Sequence, residues 1–249
     1  MIARRRLALQ AVSLAGLMLL WALAAEAAAS DVLPGPVAVW AAFVAQVEQA
    51  DYFGHLLVTL ARVAAAFFLA MAIGSAFGLA LGMRSIVDNV FGGWLTLLLN
   101  IPALVVIILC YVWFGLTEAA AITAVAVNKI PNVAATLREG ARSLSRDLAE
   151  MAQVYRLSAM QRLRHVVLPQ LVPFFAVAAR NGLALVWKIV LVVELLGRPD
   201  GVGFQLHVYF QLFDVATILA YTIGFIIVVL AIELLILEPF ERRVSRWRR

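Results

Sequence analysis

The sequence predicts an all-α polytopic membrane protein with about six transmembrane helices. Hydrophobic residues make up 64% of the 249 residues and charged residues only 14%, a composition far from that of soluble globular domains. The mean hydropathy is +0.96. A helix of about 20 apolar residues spans a hydrocarbon core about 30 Å thick, and several stretches reach that length. We therefore predict a single transmembrane domain over residues 1–249.

Each predicted span ends at charged or turn residues. In chain order, the N-terminal span covers residues 7–29, and the core spans, within 56–237, cover 56–82, 94–115, 119–137, 171–196 and 215–237. A cleavable signal peptide is the alternative for the first span, because arginines, an apolar run and the small residues AEAAAS also describe such a leader. The apolar run is roughly twice the length of a usual signal core, which favours a retained span.

The basic residues predict the orientation of the chain, because arginine and lysine near span ends stay on the cytoplasmic side. Arginines precede the first span, crowd the loop of residues 138–168 and fill the basic tail of residues 239–249. The opposite loops hold Arg198 against several acidic residues. Both termini are therefore predicted to be cytoplasmic. The net charge of +5 follows from this asymmetry, so it does not indicate nucleic-acid binding.

The sequence lacks the common catalytic and metal-binding motifs. Cys110 is the single cysteine and lies in an apolar span, which excludes a disulfide within one chain. His55, His165 and His207 are predicted to lie in three separate loops, and no two share a metal-ligand spacing. No G-x-x-x-x-G-K-[ST], G-x-S-x-G or H-E-x-x-H string occurs. We predict a non-enzymatic chain that binds no metal or cofactor and does not hydrolyse ATP alone.

The predicted cytoplasmic loop, residues 138–168, has the pattern of folded structure. Ser145 is placed to cap a first helix, and Asp147 and Glu150 lie early in that helix, where its positive end favours them. The alternative is that a basic loop of this length only enforces topology and contacts anionic lipid.

A second short helix is predicted in the same loop. Ser158 and Gln161 fit the capping box S-x-x-Q, in which each side chain satisfies the other's backbone donor. This helix presents Arg162 and Arg164 to water, and Pro169 is expected to end it. Two short helices joined by a bend form a projection suited to a groove on a soluble partner.

Four residues of this loop carry a resemblance to a known family. Glu150, Ala152, Leu168 and Pro169 stand where the cytoplasmic signature loop of ATP-driven importer membrane subunits has its Glu, Ala and closing Leu-Pro. The chain resembles the permease subunits of the nitrate, taurine and alkanesulfonate branch of binding-protein-dependent ABC importers. The likeness extends to VLPGPVAVWAAF at 32–43, WFGL at 113–116, ARNGLALVWKIVLVVELLG at 179–197 and ERRVSRW at 241–247.

One residue departs from the pattern of that branch. Six residues after Glu150, where the branch usually carries glycine, this chain has Arg156. An arginine in a left-handed turn costs about 1–2 kcal/mol. We therefore expect either a bend made differently, as at Leu157, or an Arg156 that stays helical and reaches a partner or a phosphate-rich surface.

The resemblance implies a type I ABC importer permease fold in the bacterial inner membrane. It implies a homodimer that forms the pore, two ATPase subunits that bind ATP and magnesium, and an external substrate-binding protein. It implies the import of a small organic or inorganic anion, such as a sulfonate, nitrate or a carboxylate. The ATPase-coupling residues implied are Glu150, Ala152, Arg156, Ser158, Gln161, Arg162, Arg164, Leu168 and Pro169.

Small residues and prolines give further candidates within the spans. Gly74, Gly78 and Gly82 recur every four residues, a face on which another helix can approach closely. Pro102, which follows Asn100, removes a backbone donor inside an apolar span and favours a kink. Such a break suits either a pathway lining or a simple bend that fits neighbouring helices.

The fifth predicted span carries polar residues that are costly in a membrane. Arg180, Trp187 and Glu194 repeat at i+7 on one stripe, and Asn181 and Lys188 lie on the adjoining stripe. One interpretation is a pathway wall or dimer interface. The other is an ion-pair network with acidic residues such as Glu233 or Glu118.

Three other functions are weighed against anion import. A permease of the same type for a non-anionic nutrient would have the same architecture. A passive channel would need an apolar bundle with a polar stripe, but it would not need the two-helix loop. An intramembrane enzyme would need a converging nucleophile, an acid-base pair or a metal cluster, and the sequence shows no such pattern.

Overall fold

The computed structural model describes residues 2–239, which fold into helices joined by short turns. The helices are α1 (Ile2–Ala28), α2 (Pro36–Gln49), α3 (Tyr52–Met83), α4 (Ser85–Leu99), α5 (Ala103–Phe114), α6 (Glu118–Arg142), α7 (Arg146–Val154), α8 (Ala159–Arg162), α9 (Leu168–Gly197), α10 (Val202–Gln211) and α11 (Val215–Ile232). A π-helical turn, Leu163–Val167, joins α8 to α9, and another, Glu233–Leu237, follows α11. The predicted basic tail lies, after its first residue, outside the described residues.

Within residues 2–239, five helical stretches are long and apolar enough to cross a membrane. They are Leu9–Ala28, Tyr52–Met83, Glu118–Arg142, Ala159–Gly197 and Val215–Leu235. They correspond to the first, second, fourth, fifth and sixth predicted spans. The fold class predicted from the sequence is thereby confirmed.

The third predicted span, 94–115, is broken into two helices, and the kink predicted at Pro102 is confirmed. The two helices, α4 and α5, meet at 97°. Pro102 is the N-cap of α5 and has no backbone donor to continue α4. Asn100 caps the end of α4, and its side-chain amide donates to the carbonyl of Thr96 at 2.7 Å. Pro131, by contrast, lies inside α6, which continues through it.

The centre of the bundle is the contact between α3 and α6, where the glycines of α3 lie against the other helix. A Cβ added to Gly74 would lie 2.7 Å from Cβ of Val133, and one added to Gly78 would overlap the carbonyl oxygen of Ala134. A Cβ on Gly82 would lie 2.6 Å from the carbonyl oxygen of Arg138. Only hydrogen at these positions permits so close a backbone approach.

The predicted end of the second loop helix before Pro169 is wrong. The helix that begins at Ala159 passes through the π-turn and on into α9 without a break. The wider turn pairs the amide of Leu168 with the carbonyl of Leu163. Pro169 then follows directly on this π-helical turn, as the second residue of α9.

Candidate functional site

The first candidate site is the α7–α8 segment, residues 145–169, which projects from one end of the bundle. Ser145 caps α7 by accepting from the amide of Leu148 at 3.3 Å, as predicted. The capping box is also confirmed. Ser158 Oγ accepts from the amide of Gln161 at 3.3 Å, and Gln161 Oε1 accepts from the amide of Ser158 at 2.9 Å.

The structure places the predicted coupling residues on both faces of this segment. Ala152 is buried, and it holds α7 against the rest of the chain. The others leave their side chains exposed: Glu150, Arg156, Ser158, Gln161, Arg162, Arg164, Leu168 and Pro169. Apart from the capping bonds between Ser158 and Gln161, these exposed side chains do not bond to one another within residues 2–239, so any site they form needs a partner.

Arg156 takes the left-handed conformation, with φ of 52°, so both alternatives proposed for the bend are wrong. Its amide donates to the carbonyl of Gln153 at 2.9 Å, and the amide of Leu157 donates to the carbonyl of Ala152 at 2.9 Å. This pair of bonds is the Schellman arrangement that ends many helices, usually with glycine in the left-handed position. The arginine therefore takes up the glycine geometry at a steric cost.

The sequence analysis missed two residues that position the segment and the end of α6 before it. Gln170 at the start of α9 accepts from the amide of Ser145 at 2.9 Å, which joins the two ends of the segment. Asp88 on α4 accepts from Arg138 at 2.6 Å and also pairs with Arg142. Gln170 carries no local signal, because its partner lies 25 residues away.

The second candidate site is a buried ion cluster at the opposite end of the bundle, centred on Arg62. Arg62 is 3% exposed. Its guanidinium donates to Glu118 at 2.7 and 2.9 Å and to Glu194 at 2.8 Å. Asp200 and Arg198 complete the cluster, the latter 2.8 Å from Glu118.

Glu194 is the innermost member of this cluster, with no exposed surface. Its second oxygen accepts from the hydroxyl of Thr59 at 2.9 Å and from the amide of Gly203 at 2.8 Å. Glu194 therefore belongs to an ion-pair network inside the chain and not to a groove wall. An arginine inside the long apolar helix α3 was a signal for such a network that the sequence analysis did not use.

The other polar residues of α9 line two adjoining grooves in the middle of the bundle. The larger groove has a volume of about 480 Å³, and its lining includes Arg180, Asn181, Trp187, Lys188 and Glu233. Arg180 lies 3.6 Å from Glu233. Trp187 is mostly buried and packs edge-on against Phe225. Asn100 and Pro102 line neither groove.

The smaller groove lies between α6 and α9 and has a volume of about 400 Å³. Its lining is polar on both helices, and it comprises Lys129, Asn132, Thr136, Ala178, Asn181, Ala184 and Leu185. Asn181 and Ala184 line both grooves. The sequence analysis did not name Lys129 as a site residue, although a lysine in the middle of a span is a signal of function.

No group of three or more histidine, cysteine, aspartate or glutamate side chains in residues 2–239 could hold a metal ion. The three histidines lie in helices or the π-turn and not in loops as predicted. His55, in the first turn of α3, accepts from the amide of Gly201 at 3.1 Å and contacts Gln205 at 2.7 Å. His55 thus stabilises the turn between α9 and α10, which contains Arg198 and Asp200 of the ion cluster.

A family model described as "Binding-protein-dependent transport system inner membrane component" matches residues 70–244. That match covers more than half of the chain. The chain belongs to this family. It is a membrane-embedded permease subunit of an ABC importer, and the resemblance inferred from the loop signature is confirmed.

Relatives of this permease are transport permeases of similar length. One from Bacillus subtilis (strain 168), named for aliphatic sulfonates transport, is 28% identical over 88% of this chain and 79% of its own. The taurine transport system permease of Escherichia coli (strain K12) is 27% identical over 80% of this chain and 72% of its own. A bicarbonate transport system permease of Synechococcus elongatus is 26% identical over 78% of this chain and 69% of its own.

Two solved structures share the fold of this permease. A chain of the MetNI methionine ABC transporter aligns with a TM-score of 0.66 at 20% identity, covering 76% of this chain and 93% of that one. A chain of an amino acid ABC transporter solved with histidines aligns with a TM-score of 0.66 at 22% identity, covering 81% and 98%. At these identities the likeness supports the fold.

Proposed function

We propose that this permease forms the translocation pathway for ATP-driven import of a small anion of the sulfonate, nitrate or carboxylate class. The observation that carries the proposal is the lining of the larger groove, where the charged side chains of Arg180, Lys188 and Glu233 lie in the middle of the membrane domain. Ionisable side chains at this depth ordinarily face protein or water and mark a substrate pathway, and basic ones suit an anion. The names of the relatives, for sulfonates, taurine and bicarbonate, agree with this class.

The proposed assembly contains two copies of this chain, two separate ATPase subunits that bind ATP and magnesium, and an external substrate-binding protein. The family description, a component of a binding-protein-dependent system, supports the last of these partners. Both termini lie in the cytoplasm in this proposal, because arginine-rich segments precede the first span, follow the fourth and close the sequence. The chain itself carries no catalytic role.

The α7–α8 segment is the proposed contact with the ATPases. Glu150 and Arg162 offer exposed charges, and apolar side chains stand beside them: Val154 is 79% exposed, Tyr155 73% and Met160 69%. Apolar groups so exposed outside a membrane mark an interaction surface. Because α8 runs through the π-turn into α9 without a break, we expect movement of the segment to reach the helix that lines both grooves.

Reconstitution tests the transport proposal. The permease, co-purified with its ATPase and binding protein, is placed in liposomes, and uptake of labelled butanesulfonate, taurine and bicarbonate is measured with and without ATP. We expect ATP-dependent accumulation of at least one anion and none of a neutral solute of equal size. Uptake that needs no ATPase would establish a channel, and uptake of the neutral solute alone would establish a non-anionic permease.

A charge reversal tests the coupling proposal. The Glu150→Arg variant should assemble in the membrane with its ATPases but lose ATP hydrolysis stimulated by the loaded binding protein. Glu48→Arg is the matched control, because Glu48 is also exposed but lies on α2, far along the chain from the segment. Full stimulation in Glu150→Arg would remove this residue from the coupling site.

A further inference from the structure

Lys129 is a buried cation that the functions described above do not use. It lies near the middle of α6 and is 2% exposed. Over residues 2–239, its ammonium group has no hydrogen-bond or ion-pair partner. Buried charges are ordinarily paired or bound to a ligand, so this lysine requires an explanation.

The surroundings of Lys129 are shaped to hold its side chain. Gly182 of α9 faces it, and a Cβ added there would lie 3.1 Å from Cε and 3.9 Å from Nζ of the lysine. Phe67 stands on the same side, 3.4 Å from that Cβ position. Glycine thus makes room for the lysine stem, while the phenylalanine gives it an apolar wall. The lysine lines the smaller groove.

The remaining lining of the smaller groove supplies no counter-charge. Its polar members are Asn132, Thr136 and Asn181, all of them neutral, and no carboxylate lines it. Asn132 and Thr136 donate to backbone carbonyls of α6. Asn181 makes no hydrogen bond within the described part of the chain. The Lys129 ammonium group of α6 and the Asn181 side-chain amide of α9 therefore both offer hydrogen-bond donors, without partners among the described residues, to the smaller groove.

We propose that Lys129 and Asn181 form a binding site for the anionic head of a sulfonate or carboxylate inside the membrane domain. The site rests on the proposed anion import and names the residues that would select the charge. A groove of about 400 Å³ lies within the size range of small-molecule sites. Asn181 and Ala184 also line the larger groove, so an anion leaving Lys129 passes directly to the space beside Lys188.

A thiol-labelling experiment tests the site without depending on transport. Asn132→Cys is introduced into a Cys110→Ala background, and the purified complex is treated with sulfonatoethyl methanethiosulfonate, whose own charge is a sulfonate, and with neutral methyl methanethiosulfonate. Asn132 is the reporter because it lines the smaller groove alone, one helical turn from Lys129. The measured quantity is the ratio of the sulfonate labelling rate to the neutral rate.

We expect Lys129→Met, which keeps the length of the side chain, to lower this ratio about tenfold. Lys129→Arg should preserve it, and Lys188→Met, which removes the same charge from the larger groove, should change it less. Butanesulfonate should slow labelling by both reagents in the lysine protein and not in Lys129→Met.

An unchanged ratio in Lys129→Met overturns the site. A ratio that falls without any protection by butanesulfonate also overturns it, because it shows a local field without binding. If Lys129→Met does not fold, Lys129→Gln takes its place with the same expectations. If the labelling results are as expected but ATP-driven uptake fails, anion import is contradicted and the binding site is not. The two failures are therefore distinguishable.

Discussion

Arg62 of α3 and Glu194 of α9 form an ion pair of 2.8 Å in which Arg62 is 3% exposed and Glu194 is fully buried. The pair joins α3 to the C-terminal end of α9. The N-terminal end of α9 is continuous with the α7–α8 segment. Glu118 and Asp200 share the same guanidinium. The cluster therefore fixes the bundle at the end away from the projecting segment.

Removing the central arginine of this cluster should strongly destabilise the fold. Arg62→Met leaves Glu194 buried with no cation beside it, and removal of one partner of a buried pair costs about 3–5 kcal/mol. Glu194→Gln should cost less, because its amide can still bond to Thr59 and Gly203. Thermal unfolding of the purified protein in detergent measures both. Equal losses in the two variants would contradict this ordering, and the exposed Arg146→Ala serves as the neutral control.

Adding one methyl group at Gly78 should destabilise the contact between α3 and α6. Gly78→Ala forces a Cβ against the carbonyl of Ala134, and overpacking of this kind costs about 1–3 kcal/mol. Gly93→Ala on α4 is the matched control, because nothing lies within 4 Å of its Cβ position. That substitution should be neutral or stabilise by up to about 1 kcal/mol. A Gly78→Ala protein as stable as wild type would refute the close contact.

Glycine should be more stable than arginine at position 156, which has a left-handed backbone. Arg156→Gly keeps the two Schellman bonds and removes the steric cost, so the α7–α8 segment should gain about 1–2 kcal/mol. Arg156→Val should lose stability, since a β-branched residue fits this conformation poorly. Hydrogen exchange of the α7 amides reports the change locally. Slower exchange in the valine variant than in the glycine variant would contradict the assigned conformation.

Gln170 should control the order of α7 through a single hydrogen bond. Gln170→Met removes the acceptor of the Ser145 amide while conserving volume, a loss of about 1 kcal/mol. We expect faster hydrogen exchange at the start of α7 and little change within α9. Gln153→Met is the control, because its exposed side chain lies on the same helix without such a bond. Uniform protection in both variants would show that the bond does not hold the segment.

Some features of this permease follow from local sequence alone. The thickness of the bilayer sets the length of an apolar helix, so most spans could be found by counting residues. Helix caps are equally local, because Ser158 and Gln161 bond to each other's backbone within a single turn. The family resemblance rested on such short, ordered strings.

The predictions failed where a local rule met a wider hydrogen-bond pattern. Pro169 was expected to end a helix, but the helix widens into a π-turn just before it and continues into α9. Arg156 was expected to avoid the left-handed region, but two backbone bonds hold it there. Pro102 and Pro131 have the same chemistry, yet the chain breaks only at Pro102.

Tertiary structure decided which charged side chains form ion pairs and which have no counter-charge beside them among the described residues. Arg62 finds Glu118, Glu194 and Asp200 across 56, 132 and 138 residues of chain, separations that no periodicity encodes. The same packing leaves Lys129 against Gly182 with no counter-charge among the described residues. Hydrophobicity is a property of a segment, so it can be summed along the chain. Pairing is a property of two segments, so it exists only once the helices have packed.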